Sequence, residues 1–244
     1  MNIKYKLISL FFRQKTKAEC HEVLLTNNTY YQNLSEKNKY TFQIRTLLFL
    51  WTTNFSSDSG FSINQKMKII ISSAFVQITF GLKTDTLEKF NDIFVTPRAY
   101  SYKNNPAIFD GDVNPNTKKI NMSWPAIAQG FEIADDGLNL SIHEFGHCLI
   151  FENASRSYLS RIFNENDFDH WKKHAANKFQ KIKSKDNKVL RDYAGTNLIE
   201  LFSVSLETFF EQPEYFENNE PKLYFSMTKL LKQDPRNKLN PTGK

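Results

Sequence analysis

The stretch Leu140-Ser-Ile-His-Glu-Phe-Gly-His-Cys-Leu149 places two of the chain's five histidines four residues apart, with a glutamate directly after the first. Side chains four residues apart lie on one face of an α-helix, so His143 and His147 can both point at one metal ion. Glu144 lies one position round the helix, where a carboxylate suits the role of general base toward a metal-bound water. The pattern predicts a helix that carries a metal site.

The alternative is a helix whose two histidines have only packing roles. Apolar residues dominate the surroundings of the pair, namely Leu138, Leu140, Ile142, Phe145, Leu149 and Ile150. Burying two imidazoles and a carboxylate without partners would cost several kcal/mol, and a metal ion supplies the partner. The flanks therefore favour the metal site. Gly146 is a poor helix former that leaves room for either a substrate or a close-packed neighbour, and both interpretations stay open.

The composition is that of an ordinary globular protein. A chain of 244 residues, 40% hydrophobic and 24% charged, fits one domain, and the 8 glycines and 8 prolines favour helices over an all-β fold. Two cysteines imply no disulfide framework, and a reducing, cytoplasmic location fits them. The longest uncharged run, residues 69–82, is too short for a membrane span.

The net charge of +6 raises the question of nucleic-acid binding. Basic residues are most concentrated in the lysine-rich segment 172–188. The apolar residues of this segment recur at helical spacing, so the lysines are interpreted as a solvated helix face. No direct nucleic-acid partner is expected. His170 and His174 are also four residues apart, but no glutamate follows the first and lysines flank the pair, which argues against a second metal site.

The remaining pattern predicts an α+β chain, mostly helical, with a small β-sheet. Residues 1–25 form a basic leader, either one amphipathic helix or loosely ordered; residues 26–235 form the domain, and 236–244 a polar tail. Predicted helices cover 35–55, the segment after a capping box at 62–65, the lysine-rich segment, 197–211, and the segment from 221. Predicted strands are 92–97 and 119–124, with a loop over 104–116 and a connector over 164–169. Asp135 or Asp136 is expected to cap the histidine helix.

A catalytic zinc usually has three protein ligands, so a third must lie elsewhere. A third histidine six residues after the second is excluded, because position 153 is asparagine. Glu165 and Asp167 lie at a suitable distance along the chain but in a turn-like segment. Glu200 and Glu207 share one face of an apolar helix, so one can bind the metal and the other can orient a histidine. Glu200 is preferred, although it also fits a helix-start pattern.

Three blocks resemble the MtfA family of zinc peptidases, whose catalytic domain is similar to the protease domain of anthrax lethal factor. The first runs from Met122-Ser-Trp124 through Asp135-Asp-Gly137 to His143-Glu-Phe-Gly-His147, the second from Tyr193 to Pro213, and the third from Pro221 to Pro235. The resemblance covers about residues 30–235. It implies a zincin-like metallopeptidase domain of the gluzincin type, with the histidines on its active-site helix.

The resemblance also implies roles for single residues. His143, His147 and Glu200 would bind one zinc ion, Glu144 would act as general base, and Tyr193 would stabilise the oxyanion. The expected function is zinc-dependent hydrolysis of peptide bonds, with strand 119–123 pairing with an extended peptide substrate. The alternative is a regulatory protein that sequesters a DNA-binding transcription factor. Residues 148–151 lack the acidic residue that many relatives carry there.

Overall fold

The computed structural model describes residues 3–103, 105–185, 187 and 189–243. Its helices are α1 (Ile3–Ser9), α2 (Gln14–Asn27), α3 (Thr29–Gln32), α4 (Glu36–Thr52), α5 (Gln65–Thr79), α6 (Trp124–Glu132), α7 (Leu140–Ser155), α8 (Glu165–Lys183), α9 (Leu198–Glu211), α10 (Pro213–Asn219) and α11 (Pro221–Leu231). Its strands are β1 (Asn54–Ser57), β2 (Asp92–Thr96), β3 (Tyr100–Tyr102), β4 (Asn105–Phe109), β5 (Gly111–Asn114) and β6 (Lys119–Ser123). The chain is mostly helical with small sheets, which confirms the α+β class. None of the described helices is both long and apolar enough to cross a membrane.

The N-terminal helices α1 to α5 pack on one another around a small apolar cluster. Helix α2 contacts α4 and α5, and α1 contacts α4. Side-chain caps begin two of these helices, since Asn28 caps α3 and Asn64 caps α5 by accepting from the backbone N–H of Met67 at 2.9 Å. The predicted capping box at 62–65 is therefore wrong by two positions, because Asn64 rather than Ser62 supplies the cap. The domain boundaries at 25 and 235 stay predictions.

A four-stranded sheet in the order β1-β2-β6-β5 lies beside the helices. Strands β1, β2 and β6 run parallel, and β5 pairs antiparallel with β6. Strands β2 and β6 lie where the sequence predicts them. The predicted loop over 104–116 is wrong, since β4 and β5 occupy most of it; Asn104 itself lies outside the described residues. Its Asn, Asp and Gly residues are poor strand formers, and tertiary pairing overrides that preference.

Strand β6 is an interior strand, with β2 on one side and β5 on the other. Both of its hydrogen-bonding edges are used, so it cannot pair with a substrate, and that expectation is wrong. Strand β5 is the edge strand on this side, and in the described part of the chain it pairs only with β6. The hairpin of β3 and β4 is tied to β5 by the hydroxyls of Tyr100 and Tyr102, which both donate to Asp112; the Tyr102 contact is 2.7 Å.

The main core lies between α5, α7, α9 and the sheet. Phe49, Phe75 and Phe145 form an aromatic group there, with Phe49 stacked on Phe75 at 4.2 Å between ring centroids and Phe145 edge-on to both. Helix α7 packs most extensively on α9. This contact brings the predicted histidine helix against the predicted glutamate helix, which fixes the position of the site.

Helix α8 covers α9 from outside and differs from the sequence interpretation in two ways. It begins at Glu165, capped by Asn164, so the predicted connector over 164–169 is its first turn. The lysines are not all solvated, because Lys178 is buried and its Nζ lies 2.6 Å from the Glu220 carboxylate. Lys188, at the end of the lysine-rich segment, lies outside the described residues.

Candidate metal centre

Helix α7 carries His143, Glu144 and His147, all nearly or fully buried. The helix begins after Asn139, whose side chain accepts from the backbone N–H of Ile142 at 3.1 Å. Neither aspartate caps it as predicted; Asp136 instead accepts from the N–H of Leu138. The two imidazole rings lie edge to face with their centroids 4.7 Å apart. The spacing thus puts both rings on one face, as the sequence predicts.

Helix α9 brings Glu200 to the same point. Asn197 caps this helix by accepting from the N–H groups of Ile199 and Glu200, which leaves the Glu200 carboxylate free to face α7. Its Oε2 lies 3.1 Å from His143 Nε2 and 3.5 Å from His147 Nε2. Glu200 therefore lies in the first turn of its helix and also beside the histidines. Its helix-start pattern and its predicted role as a metal ligand are compatible.

One ligand atom from each of His143, His147 and Glu200 lies within 4.8 Å of the others. Two imidazole nitrogens and one carboxylate oxygen are the donor set of a catalytic zinc site that keeps an open position. In the described part of the chain this is the one group of three or more His, Cys, Asp or Glu side chains arranged for a metal ion. The residues present fit the metal that the sequence predicts.

The two histidines differ in their pKa values because their neighbours differ. Burial and the neighbouring His143 lower the pKa of His147 to about 4, so His147 is neutral. Burial also acts to lower the pKa of His143, but hydrogen bonds to Glu200 and Glu207 outweigh it and raise that pKa to about 10. A protonated His143 thus lies between the carboxylates of Glu200 and Glu207. A divalent cation can supply that charge instead.

Each histidine is oriented by a partner on α9 at its other ring nitrogen. His143 Nδ1 lies 2.9 Å from Glu207 Oε2, and His147 Nδ1 lies 3.2 Å from Ser203 Oγ. A hydrogen bond at Nδ1 fixes the tautomer and leaves Nε2 available for a metal. Glu207 also accepts from the backbone N–H of Asn139 at 2.9 Å and from Arg191. Glu200, the third ligand that the resemblance implies, lies in the ligand group, and Glu207 lies behind His143.

Gly146 explains how the two helices come so close. A Cβ at this position would lie 2.6 Å from Ser203 Oγ and 3.2 Å from Ser203 Cα. Those distances are shorter than van der Waals contact, so only glycine fits between α7 and α9 at this separation. Of the two interpretations left open by the sequence, the structure supports the close-packed neighbour.

Glu144 faces a cleft of about 480 Å³ that is also lined by His143, Arg191 and Tyr193. Its Oε2 is buried and has no hydrogen-bond partner, and burial raises the pKa of Glu144 to about 8. The other oxygen lies against β5, since a Cβ on Gly111 would be 2.6 Å from Glu144 Oε1. A buried carboxylate oxygen that faces a cleft and has no hydrogen-bond partner is placed to accept a proton from a bound molecule.

Tyr193 lies at the mouth of the cleft, in a short 3₁₀ turn over Asp192–Gly195. Its side chain is 51% exposed, and its hydroxyl donates to Glu200 Oε1 at 3.3 Å. Partial burial of the side chain and the neighbouring Glu200 carboxylate raise the pKa of Tyr193 to about 12. The hydroxyl is therefore protonated and able to donate a hydrogen bond. His143, Glu144 and Tyr193 thus line one cleft. The other two predicted site residues, His147 and Glu200, lie in the ligand group with His143.

The other sequence candidates lie elsewhere. Glu165 is exposed and pairs with Arg161 at 3.1 Å, and neither it nor Asp167 belongs to the ligand group. His170 and His174 have their Nε2 atoms 3.3 Å apart on the exposed side of α8. Among the described residues, no third ligand atom joins that pair.

The sequence patterns did not predict three residues of the site, namely Gly111, Arg191 and Ser203. Gly111 lies in a segment whose composition predicts a loop, and Arg191 acts through the buried Glu207. Ser203 was identifiable, because it lies three residues after Glu200 and one helix turn before Glu207 on the same helix. A polar residue on the buried face of α9 needs a partner, and helical spacing places it near the site.

Comparison with known proteins identifies the family of the chain. The sequence profile of the glucose-regulated metallo-peptidase M90 family matches residues 4–232. An uncharacterized protein of Synechocystis sp. is 24% identical over 221 residues, covering 84% of this chain and 80% of the relative. Mlc titration factor A of Serratia proteamaculans is 24% identical over 192 residues, covering 72% of each chain. Mlc titration factor A of Pectobacterium atrosepticum is 28% identical over 120 residues, covering 47% of this chain and 44% of the relative. The chain therefore belongs to the glucose-regulated metallo-peptidase M90 family, and the resemblance to the MtfA family is confirmed.

Proposed function

We propose that this metallopeptidase is a zinc-dependent peptidase of the gluzincin type with a zincin-like fold. His143, His147 and Glu200 would hold one zinc ion. The observation that carries the proposal is the ligand group within 4.8 Å together with the buried, unpartnered oxygen of Glu144 beside it. A site with only packing roles would leave that carboxylate oxygen without compensation for its burial.

When bound, zinc supplies Lewis-acid polarisation of a water molecule and of the peptide carbonyl. The side chains of the site supply proton transfer, oxyanion stabilisation and orientation of the ligands. Glu144 takes the proton of the attacking water on a carboxylate oxygen and passes it to the leaving amine. The Tyr193 hydroxyl donates to the carbonyl oxygen as negative charge develops there. Glu207 and Ser203 hold the imidazole rings in one tautomer and one orientation throughout.

The substrate would be a peptide lying along the edge of β5. This strand borders the cleft at Gly111, and its outer edge is unpaired in the described part of the chain. An extended peptide can add to such an edge by main-chain hydrogen bonds. Because Gly111 packs directly against the Glu144 carboxylate, a peptide paired with this strand would lie near the general base.

The proposal is tested by Glu144→Gln, which keeps the size of the side chain and removes its basicity. We expect hydrolysis of a generic fluorogenic peptide to fall by about 10² or more, because general-base catalysis of this kind contributes about 10²–10⁴. Zinc content, measured by mass spectrometry, should stay at one ion per chain. Asp110→Asn, at a carboxylate that lines the same cleft, is the matched control. Wild-type rates in Glu144→Gln would contradict the assignment of the base.

The ligand set is tested separately by zinc analysis of Glu200→Ala and Glu207→Ala. We expect Glu200→Ala to lose zinc, because it removes one of three ligands, and Glu207→Ala to retain it with reduced affinity. The reverse result would exchange the roles of the two glutamates. Since both lie on the same helix, each variant controls for the other.

A second candidate function is the binding of a regulatory protein. The observation in its favour is that several relatives are named Mlc titration factor A, and that name describes titration of Mlc. For this chain we infer a DNA-binding regulatory protein as the partner class, and a cytoplasmic location. Capture of one defined repressor that is equally strong in wild type and Glu144→Gln would support binding as a function separate from hydrolysis. A complex that forms only in Glu144→Gln would identify the repressor as a substrate.

A further inference from the structure

The N-terminal segment of residues 3–15 has two faces with different surroundings. One face packs on the domain, where Tyr5 belongs to the apolar cluster of the N-terminal helices and Ile8 and Phe12 lie against it. Tyr5 is held further by a hydrogen bond of 3.0 Å from its hydroxyl to Asp85. The segment is therefore fixed on the domain surface by its inner face.

The outer face consists of large apolar side chains in solvent. Ile3 is 72% exposed, Leu7 58%, and Leu10 and Phe11 79% each. Positions 3, 7, 10 and 11 fall on one side of a helix. After α1 ends at Ser9, the turn continues through hydrogen bonds from Leu10 to Leu7 and from Phe11 to Ile8, both 3.1 Å. The four side chains thus form one apolar ridge, which we call the N-terminal ridge.

Basic residues border the N-terminal ridge. Residues 3–18 contain five lysines and arginines and no acidic residue; the cations are Lys4, Lys6, Arg13, Lys15 and Lys17. Lys4 pairs with Asp85. Lys6, Arg13 and Lys15 are exposed, and no carboxylate in the described residues forms an ion pair with them. An apolar ridge with a basic border is the pattern of helices that lie in the plane of an anionic lipid surface.

We propose that the N-terminal ridge docks the protein peripherally on an anionic lipid bilayer. Ile3, Leu7, Leu10 and Phe11 would enter the boundary between headgroups and acyl chains, while Lys6, Arg13 and Lys15 contact lipid phosphates. The inner face stays on the domain, so docking requires no rearrangement of the fold. The ridge is too short to span a bilayer, which agrees with the lack of a spanning helix among the described residues.

The charge pattern favours a lipid surface over a second copy of the chain. Two copies that met through this ridge would bring their basic borders together, and like charges repel. An anionic bilayer complements the same border along its whole length. The proposal concerns a surface separate from the metal centre and does not depend on the proposed function.

The experiment measures partitioning of the full chain onto vesicles by sedimentation. Vesicles of phosphatidylcholine with about a third phosphatidylglycerol are compared with vesicles of phosphatidylcholine alone at about 0.1 M salt, where screening is moderate. We expect wild type to sediment with the anionic vesicles and less with the neutral ones. Leu10→Ser/Phe11→Ser should lower the partition coefficient at least about tenfold, because two large apolar side chains no longer leave water.

Charge is tested by Lys6→Gln/Lys15→Gln, for which we expect about a fivefold loss per lysine removed. Lys66→Gln/Lys229→Gln removes the same charge from exposed positions outside the ridge and should change partitioning less. Leu159→Ser, at a side chain that is 96% exposed elsewhere, is the matched apolar control. All variants alter exposed residues, and circular dichroism checks that they remain folded.

Three results would overturn the proposal. The first is a wild-type chain that stays in the supernatant with anionic vesicles. The second is equal partitioning of wild type and Leu10→Ser/Phe11→Ser. The third is a wild-type chain that does not bind vesicles but forms a dimer in sedimentation velocity, with the dimer lost in Leu10→Ser/Phe11→Ser. That result would assign the ridge to self-association.

Discussion

Replacing Gly146 by alanine tests whether the close packing of α7 on α9 sets the geometry of the metal centre. The new Cβ would lie 2.6 Å from Ser203 Oγ, 3.0 Å from Leu206 Cδ1 and 3.2 Å from Ser203 Cα. The two side-chain atoms can rotate away. The Ser203 Cα atom belongs to the backbone of α9, so the helices must separate by a few tenths of an ångström.

Two effects of opposite sign set the change in the free energy of unfolding. Alanine is favoured over glycine in a helix interior by about 1 kcal/mol. Overpacking of a tight core typically costs about 1–3 kcal/mol. The expected net result is a destabilisation of about 0–2 kcal/mol, although the same substitution in a free helix would stabilise.

Zinc affinity should respond more strongly than stability. His143 and His147 lie on α7 and Glu200 lies on α9, so separating the helices pulls the ligand set apart. Zinc sites tolerate only about 0.2 Å in ligand distance, and we therefore expect a loss of affinity of about tenfold or more. Competition with a chromogenic chelator measures the affinity, and urea unfolding of the metal-free protein measures the stability.

A matched double variant separates the steric clash from helix propensity. Gly146→Ala/Ser203→Ala removes the 2.6 Å approach to Ser203 Oγ and should recover part of the lost stability, while the clash with the backbone of residue 203 remains. The reasoning is refuted if Gly146→Ala raises the free energy of unfolding by about 1 kcal/mol and leaves zinc affinity unchanged. A higher KM as the sole change would support the alternative, in which the missing side chain admits substrate.

Three further predictions concern the surroundings of the ligands. Gly111→Ala should displace the carboxylate of Glu144, whose Oε1 would lie 2.6 Å from the new Cβ, and we expect kcat to fall about 10²-fold with zinc retained; unchanged kcat would contradict this contact. Glu207→Gln should weaken zinc binding about 10–100-fold, because it alters the hydrogen bond to His143 Nδ1; equal affinity in chelator competition would refute it. Burial raises the pKa of Glu211 to about 8, because its effect exceeds that of the hydrogen bonds that lower the pKa. Between pH 4.5 and about 8 the Glu211 carboxyl is therefore protonated in the folded state and ionised in the unfolded state, where its pKa is 4.5. Stability should therefore fall as pH rises from 4.5 to about 8, and Glu211→Gln should flatten that slope in thermal unfolding; parallel profiles would rule out the shift.

Much of the candidate site could be predicted from local pattern alone. His143, Glu144 and His147 lie four residues or fewer apart, so helix geometry places them without any tertiary information. Glu200 and Glu207 share a face of one helix for the same reason. Helical periodicity also predicted the bounds of α9 almost unchanged, because its apolar positions recur over its full length.

The strands near the cleft could not be predicted from the sequence, because their residues have low strand propensity. Strands β4 and β5 contain Asn, Pro, Gly and Asp, which have low strand propensity. They form because β5 pairs with β6 and because Tyr100 and Tyr102 tie the hairpin to Asp112. These stabilising partners lie in other strands, and no local window of sequence contains their contribution.

The sequence by itself determined which side chains could bind a metal and which helix faces carry them, since both follow from residue type and a period of about 3.6 residues. The resemblance to the MtfA family implied Glu200 as the third ligand, but only the tertiary structure shows how Glu200, rather than Glu207, meets the histidines. Glu200 and Glu207 share one face of α9, and their roles separate because α9 crosses α7 at Gly146, where the absence of a side chain sets the distance between the helices. That crossing places Glu200 at the Nε2 atoms and Glu207 at Nδ1 of His143. An interaction between segments so distant along the chain depends on packing, which the local spacing of residues does not encode.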